Sequence, residues 1–243
     1  MSAPAIVIRE IESLAEMREV EQLQREIWGV EDLEVYPALA LKPQKEVGAI
    51  LIGAFAEGRM VGFVFGFPGI LNGETIIHSD MLGISAPYRS QNLGFLLKRT
   101  QREKAMALGV KRITWTFDPL QSRNAHLNFS KLGVIADRYY VDYYGVTSSF
   151  LHQFGTDRLW VTWLLNSERV KARVERNAFE REPIGPEDIV IEIPCEITSN
   201  HEHWRITTRE AFTSAIEAGY VVEEFLVSGN NGKYVLRKKL IHG

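Results

Sequence analysis

The spacing of hydrophobic and polar residues in the first third of the chain predicts a helix followed by a β-hairpin. Residues 6–9 form a short apolar strand candidate, and residues 11–28 repeat apolar positions at helical spacing up to Gly29. Residues 47–56 and 60–67 are each of strand length, and the Glu-Gly-Arg turn between them favours a buried hairpin. Because charges are costly in lipid, we do not expect this stretch to cross a membrane.

The middle of the chain alternates strand and helix patterns, which predicts an α/β fold with a mixed sheet. Helices are expected over residues 92–108 and 124–132, each followed by a glycine. The expected strands are residues 75–84, 111–117, 135–145 and 158–165. The inward face of the first of these helices is expected to carry Leu93, Leu96, Leu97, Thr100, Ala107 and Leu108.

The last third divides into a charged connection and a small βαββ unit. Residues 166–188 are rich in charge and predict a solvated helix and linker between a core of residues 1–165 and a unit of residues 189–243. In that unit the helix starts at either Ser199 or Thr207, since a glutamate three residues later completes a capping box in both cases. The expected strands are residues 189–193, 220–227 and 233–236, with a hairpin turn at Asn231-Gly232.

The amino-acid composition indicates a folded, globular protein. The chain has 243 residues, 45% hydrophobic and 24% charged, which is ordinary for a globular protein and excludes a disordered or disulfide-scaffold chain. Its formal net charge of −3 gives no overall attraction to nucleic acid or anionic lipid, so we expect neither as a partner. An anionic ligand would have to be held by a local group of donors.

Cysteine and histidine usage predicts neither a disulfide nor a metal site. Cys195 is the single cysteine, which excludes an intrachain disulfide and fits a reducing, cytoplasmic location. We interpret it as a packing residue. Four histidines show no metal-ligand spacing with it or with carboxylates, so no metal is expected. These are His152, His201, His203 and His242.

The turn at residues 87–94 has the features of an anion site. Small and polar residues there lead into a helix, whose first backbone N–H groups are free and lie at the positive end of the helix dipole. Arg89 adds one cation. An ordinary structural turn is the alternative interpretation of this segment.

Two blocks around this turn resemble the signatures of the GNAT superfamily of acyl-CoA-dependent N-acyltransferases. Arg89-Ser90-Gln91-Asn92-Leu93-Gly94 resembles that family's Arg/Gln-x-x-Gly-x-Gly/Ala motif after its fourth strand. Asn124-Ala125 and the later Phe129-Ser130-Lys131-Leu132-Gly133 are similar to its second motif. The resemblance covers about residues 6–165. Residues 115–120 and 123–126 also resemble a longer bacterial subgroup of this family. Residues 186–239 resemble the C-terminal part of the same subgroup.

The resemblance implies a GNAT fold with a C-terminal βαββ extension, and direct transfer of an acyl group from acyl-CoA to a primary amine of a small molecule. Acetyl-CoA is the default donor and succinyl-CoA an alternative, with an amino acid as one candidate acceptor. A non-catalytic acyl-CoA-binding sensor or assembly module is the competing hypothesis. The C-terminal unit either completes the acceptor site or forms a homodimer.

The resemblance also implies which residues contact CoA, and two of them depart from the family pattern. Asn92 stands at the usual first glycine, although asparagine tolerates positive φ. Phe129 stands at a tyrosine whose hydroxyl protonates the CoA thiolate in many relatives, so another group such as Tyr143 would have to act. The implied CoA contacts are Arg89, Ser90, Gln91, Asn92, Leu93, Gly94, Phe95, Asn124, Phe129 and Lys131.

The strand at residues 75–84 is expected to hold the reacting groups. Gly83 favours a bulge, from which backbone N–H groups of Leu82, Gly83 and Ile84 would stabilise the oxyanion. Alternation places His78 and Asp80 on one face as candidate general bases. A polar pair satisfied within the sheet is the alternative.

Three residues outside the two blocks are candidates for contacting the acceptor. Asp118 ends a strand, although Asp-Pro is also an ordinary strand stop. Tyr140 belongs to a tyrosine-rich segment that otherwise serves for packing. Arg158 would bind a substrate carboxylate, and a surface ion pair is the simpler alternative.

Overall fold

The structure, a computed structural model, describes residues 5–178, 181–197 and 199–238. His242 and part of the predicted linker lie outside the described residues. Contacts divide the chain into two compact units, and the division falls inside a strand rather than near residue 165. The first unit is Met1–Thr114 with Thr147–Gln153, and the second is Trp115–Val146 with Phe154–Gly243.

The first unit builds a sheet in the order β1-β2-β3-β4-β5 with three helices. Neighbouring strands are antiparallel except for β4 and β5, which are parallel. The elements are β1 (Ile6–Glu10), α1 (Leu14–Trp28), α2 (Ala38–Glu46), β2 (Ile50–Ala56), β3 (Arg59–Leu71), β4 (Glu74–Ile84), α3 (Leu93–Ala107) and the first half of β5 (Arg112–Phe117).

The second unit continues from β5 in the strand order β5-β7-β6-β9-β10-β8. No helix in the described part of the chain is long and apolar enough to span a membrane. The elements are α4 (Ser122–Ala125), a π-helical turn (His126–Leu132), β6 (Ile135–Tyr140), β7 (Arg158–Leu164), α5 (Glu168–Val174), β8 (Ile189–Pro194), α6 (His201–Glu217), β9 (Tyr220–Ser228) and β10 (Asn231–Lys238).

Helix α1 shows how local sequence sets the ends of an element. Ser13 caps it through a reciprocal capping box with Glu16, and Gly29 ends it in the left-handed conformation. The expected helix is confirmed, but it starts at Leu14 because the capping box fixes its first turn. The apolar face of α1 packs with α2 on the buried β2–β3 hairpin, which forms the core of the first unit.

Two expected features of the C-terminal unit are wrong in position. Helix α6 begins after Asn200, which adopts the left-handed conformation without a side-chain cap, so neither Ser199 nor Thr207 is the capping residue. In the last hairpin Asn231 already pairs with Ser228. The turn is therefore formed by Gly229 and Asn230, two residues before the expected Asn-Gly turn. Both errors arise because several neighbouring residues had acceptable cap or turn chemistry.

Candidate functional site

Strand β4 carries a β-bulge at Ser79 and Asp80. These two residues together face Gly66 of β3, because the pairing register changes between the pairs on either side. Bulges re-aim side chains and are frequent next to active sites. The flanking pairs are His78 with Phe67 and Met81 with Phe65.

The bulge expected at Gly83 is corrected by this register. Gly83 pairs with Phe63 in the regular part of the ladder. A bulge depends on how two strands align, so a glycine alone does not locate it. Gly83 is small for a packing reason, since an added Cβ would lie 2.9 Å from Ile27 Cδ1.

The bulge also changes the alternation expected along β4. Met81 belongs to the core beside α1 and α2, on the side where His78 packs against Phe67. Ser79 points the other way, and its hydroxyl donates to Gln101 Oε1 of α3 at 2.9 Å. The extra residue shifts the period-two pattern by one position, so the simple alternation that placed His78 and Asp80 on one face does not hold across the bulge.

His78 and Asp80 differ in their environment. His78 is largely enclosed, and its Nδ1 lies 3.0 Å from Thr114 Oγ1. Burial, together with the charge of Lys98, lowers the pKa of His78 to about 4, so the ring is neutral at pH 7 and a weak base. Asp80 is exposed, yet surrounding protein atoms displace part of its hydration and raise the pKa of its carboxyl. Asp80 is thus the accessible carboxylate with raised basicity.

The segment that joins β4 to α3 presents exposed backbone at the start of a 15-residue helix. Ser90 and Asn92 adopt left-handed conformations, with φ of 67° and 62°. The structure shows no side-chain cap hydrogen bond at Asn92 and no acidic residue in the first turn, which suits the binding of an anion at the start of this helix. Arg89 is exposed there, and its Nε donates to the Ile84 carbonyl at 3.1 Å.

Helix α3 faces β4 with polar residues that sequence reasoning missed. Its buried side chains include the expected Leu93 and Leu97, but also Lys98 and Gln101, whereas the expected Leu108 is 58% exposed. Lys98 Nζ donates to Ser79 Oγ at 2.8 Å and to Gln101 Oε1 at 3.0 Å. Apolar periodicity gives no signal for such a face. Lys98 and Gln101 both lie outside the inward face predicted for this helix.

Asp118 is buried and directly follows β5 in the second unit. Arg205 of α6 donates to both of its carboxylate oxygens at 2.8 Å. Although burial works against its charge, these bonds raise the pKa of Arg205. Asp118 also accepts from Leu120 N at 2.9 Å, so its carboxylate already holds α6. A role in binding substrate stays a prediction.

Asp157 and Arg158 at the start of β7 form a second charged group. The Asp157 carboxylate accepts from Tyr139 Oη at 2.7 Å and from Arg209 of α6 at 2.9 Å. Burial opposes its charge, but these bonds lower the pKa of Asp157. Arg158 is buried, which lowers the pKa of its guanidinium, and it lies 5.0 Å from the centre of the Tyr144 ring.

The remaining predicted residues of the second unit lie in contrasting environments. Phe129 is fully buried, with edge contacts to the rings of Phe117 and Tyr234. Asn124 is exposed, and Tyr143 is 42% exposed with its ring 5.2 Å from that of Tyr140. Lys131 is partly exposed. The binding and catalytic roles of these residues stay predictions.

Several solved structures similar to this chain are acetyltransferases. The ribosomal-protein-S18-alanine N-acetyltransferase of Escherichia coli matches with a TM-score of 0.52 and 12% identity, over 67% of this chain and 96% of that one. Aminoglycoside 6'-acetyltransferase type Ii gives 0.53 and 17%, over 67% and 99%. Arabidopsis thaliana Naa50, in complex with the bisubstrate analogue CoA-Ac-MVNAL, gives 0.52 and 14%, over 65% and 97%.

These matches confirm the expected fold. Another similar structure is a GNAT-family acetyltransferase from Streptococcus pneumoniae, at 20% identity, with a TM-score of 0.51 over 65% of this chain and 98% of that one. No protein-family model and no curated protein sequence matches the chain. The fold is therefore the GNAT fold, with about a third of the chain outside the matched part.

Proposed function

We propose that this chain transfers an acyl group from acyl-CoA to the primary amine of a small molecule. The observation that carries the proposal is the open start of α3 directly after a bulged β4, in a fold shared with acetyltransferases. Exposed N–H groups at a helix start bind phosphates, and CoA carries a pyrophosphate. Residues 89–95 would hold that group. Asn124, Phe129 and Lys131 stay proposed from the resemblance.

In the proposed reaction the amine nitrogen attacks the thioester carbonyl carbon, a C–N bond forms and the C–S bond breaks. The electron pair leaves on the CoA sulfur, which then takes a proton, for which Tyr143 is the proposed donor. Backbone N–H groups of β4, from the bulge to Ile84, would stabilise the developing oxyanion. The attacking ammonium must first lose a proton to a base.

Asp80 fits the role of base better than His78. Its carboxylate is exposed and its pKa is raised, whereas His78 has a pKa of about 4 and a ring nitrogen beside Thr114 Oγ1. A base must be accessible to the proton that it takes. His78 then supports β4 by packing.

The proposal also covers the identity of the acyl group and the chemical class of the acceptor. Acetyl is the default because the similar structures are acetyltransferases, and succinyl remains the alternative donor. A buried arginine is suited to bidentate recognition of a carboxylate. Arg158 would thus favour an amino-acid acceptor, with Tyr140 and Asp118 as further proposed contacts. We expect a cytoplasmic protein that is a monomer or a homodimer.

The test is release of free CoA thiol from acetyl-CoA or succinyl-CoA with a panel of primary amines that includes amino acids. We expect turnover with at least one pair, and a loss of about 10²- to 10⁴-fold in kcat for Asp80→Asn, with CoA binding retained. The matched control is Glu74→Gln, an exposed carboxylate at the other end of β4, which should keep full activity.

Absence of CoA release with every pair contradicts the proposed reaction. If calorimetry then shows tight CoA binding, the acyl-CoA sensor becomes the better hypothesis. The observation that favours it is Phe129, a buried ring without a hydroxyl at the position of the usual tyrosine. Full activity in Asp80→Asn would remove Asp80 from the mechanism while leaving the reaction in place.

A further inference from the structure

A buried lysine lies directly behind the bulge of β4. Lys98 is 2% exposed, and its amine donates to Ser79 Oγ and to Gln101 Oε1. The Ser79 hydroxyl in turn donates to Gln101 Oε1, which closes a triangle of hydrogen bonds. We call Ser79, Lys98 and Gln101 the α3 triad. One of its three members is itself a bulge residue.

Strand β3 has a glycine at the point where the α3 triad contacts the bulge. Gly66 lies opposite the bulge, and an added Cβ there would lie 2.9 Å from Gln101 Nε2 and 2.9 Å from the His78 carbonyl oxygen. Any larger residue would push α3 or β4 away. Glycine at this position therefore allows helix, bulge and neighbouring strand to meet closely.

Stability alone does not account for a lysine at this place. A buried amine loses its hydration, and burial lowers the pKa of Lys98 well below its ordinary value. An apolar side chain of similar length would fill the space without that cost. The three hydrogen bonds of the triad instead favour the one backbone arrangement in which they can form, although Gln101 Nε2 has no partner among the described residues. The arrangement favoured here is the bulge in which Ser79 and Asp80 together face Gly66.

We propose that Lys98 is a positioning residue, which with Ser79 and Gln101 holds the β4 bulge in the conformation that presents Asp80 to the acceptor amine and the neighbouring backbone N–H groups to the acyl donor. The inference rests on the proposed acyl transfer for its functional part. Its structural part, that the α3 triad fixes the bulge, stands on the contacts within the first unit.

The experiment compares Lys98→Met with Lys104→Met, an exposed lysine on the same helix. Crystal structures of both variants are determined, and the steady-state constants are measured. For Lys98→Met we expect the bulge to move by about 1 Å and kcat to fall by about 10- to 100-fold. The KM for acyl-CoA should stay within about three-fold, since the start of α3 is untouched. Lys104→Met should match the wild type in both.

Each outcome decides the proposal. An unmoved bulge in Lys98→Met overturns it, and so does a moved bulge with an unchanged kcat. A fall in kcat that only follows a loss of folded protein indicates a structural role, so melting temperatures are measured alongside. If Lys98→Met does not fold, Ser79→Ala removes the contact at the bulge with little change in volume. A wild type without turnover would refute the proposed reaction, while the crystal structures still decide whether the α3 triad holds the bulge.

Discussion

The ion pair between Asp118 and Arg205 allows a quantitative test of what holds α6 in the second unit. Both guanidinium Nη atoms donate to Asp118 at 2.8 Å, and the two side chains are only 10% and 7% exposed. Arg205→Met removes these bonds and leaves Asp118 with the Leu120 N–H and the charge of Arg158 nearby. Removing one partner of a buried pair leaves an uncompensated charge and costs about 3–5 kcal/mol.

The assay is the free energy of unfolding from denaturant titration. Lys171→Met is the matched control, because this lysine pairs with Glu168 on the surface and such pairs contribute at most about 1 kcal/mol. The double variant Asp118→Asn/Arg205→Met should be more stable than Arg205→Met by at least about 1 kcal/mol in the free energy of unfolding, because it no longer buries a carboxylate without its guanidinium partner. A loss below about 1 kcal/mol in Arg205→Met, or no recovery in the double variant, would refute this reasoning.

Two further predictions concern the first unit. Because burial lowers the folded-state pKa of Lys98, the unfolded state binds more protons between that pKa and the ordinary value of 10.5. Wild-type stability should therefore gain up to about 1.4 kcal/mol per pH unit over Lys98→Met as pH rises in that window; parallel curves in denaturant titrations just below the ordinary pKa, between pH 9 and pH 10, would contradict this. Gly66→Ala should cost about 1–3 kcal/mol, because its Cβ meets Gln101 and the His78 carbonyl. Gly69→Ala, on the same strand with only Ile76 at 4.0 Å, should melt close to the wild type; equal melting of the two variants would contradict the crowding argument.

The sequence predicts the elements of this fold well where one local signal dominates. Gly29 ends α1 where the sequence predicts, and the Glu-Gly-Arg turn separates β2 from β3. Prediction fails where several local choices are equivalent. Helix α6 could start at any of several polar residues, and its actual first turn depends on packing within the second unit.

The candidate site was harder to predict because its key features depend on pairs of elements. Gly83 has the local character of a bulge, but the register between β3 and β4 places the extra residue at Ser79–Asp80. The hydrophobic periodicity of α3 predicts that Lys98 faces solvent, because inward positions are assigned from the spacing of apolar side chains. Its burial becomes intelligible only when Ser79 is known to face α3.

The contacts of the second unit argue that the C-terminal residues are part of a shared core. Tyr139 of β6 stacks on Phe212 of α6, and Ala136 of β6 pairs with Val222 of β9. The carboxylates at the end of β5 and the start of β7 find their cationic partners on α6. Without that helix, two buried carboxylates would lose their guanidinium partners. The resulting loss of folding free energy would be large compared with the small net stability of a typical fold. Helix α6 thus stabilises the segments at the end of β5 and the start of β7, where Asp118 and Arg158 lie.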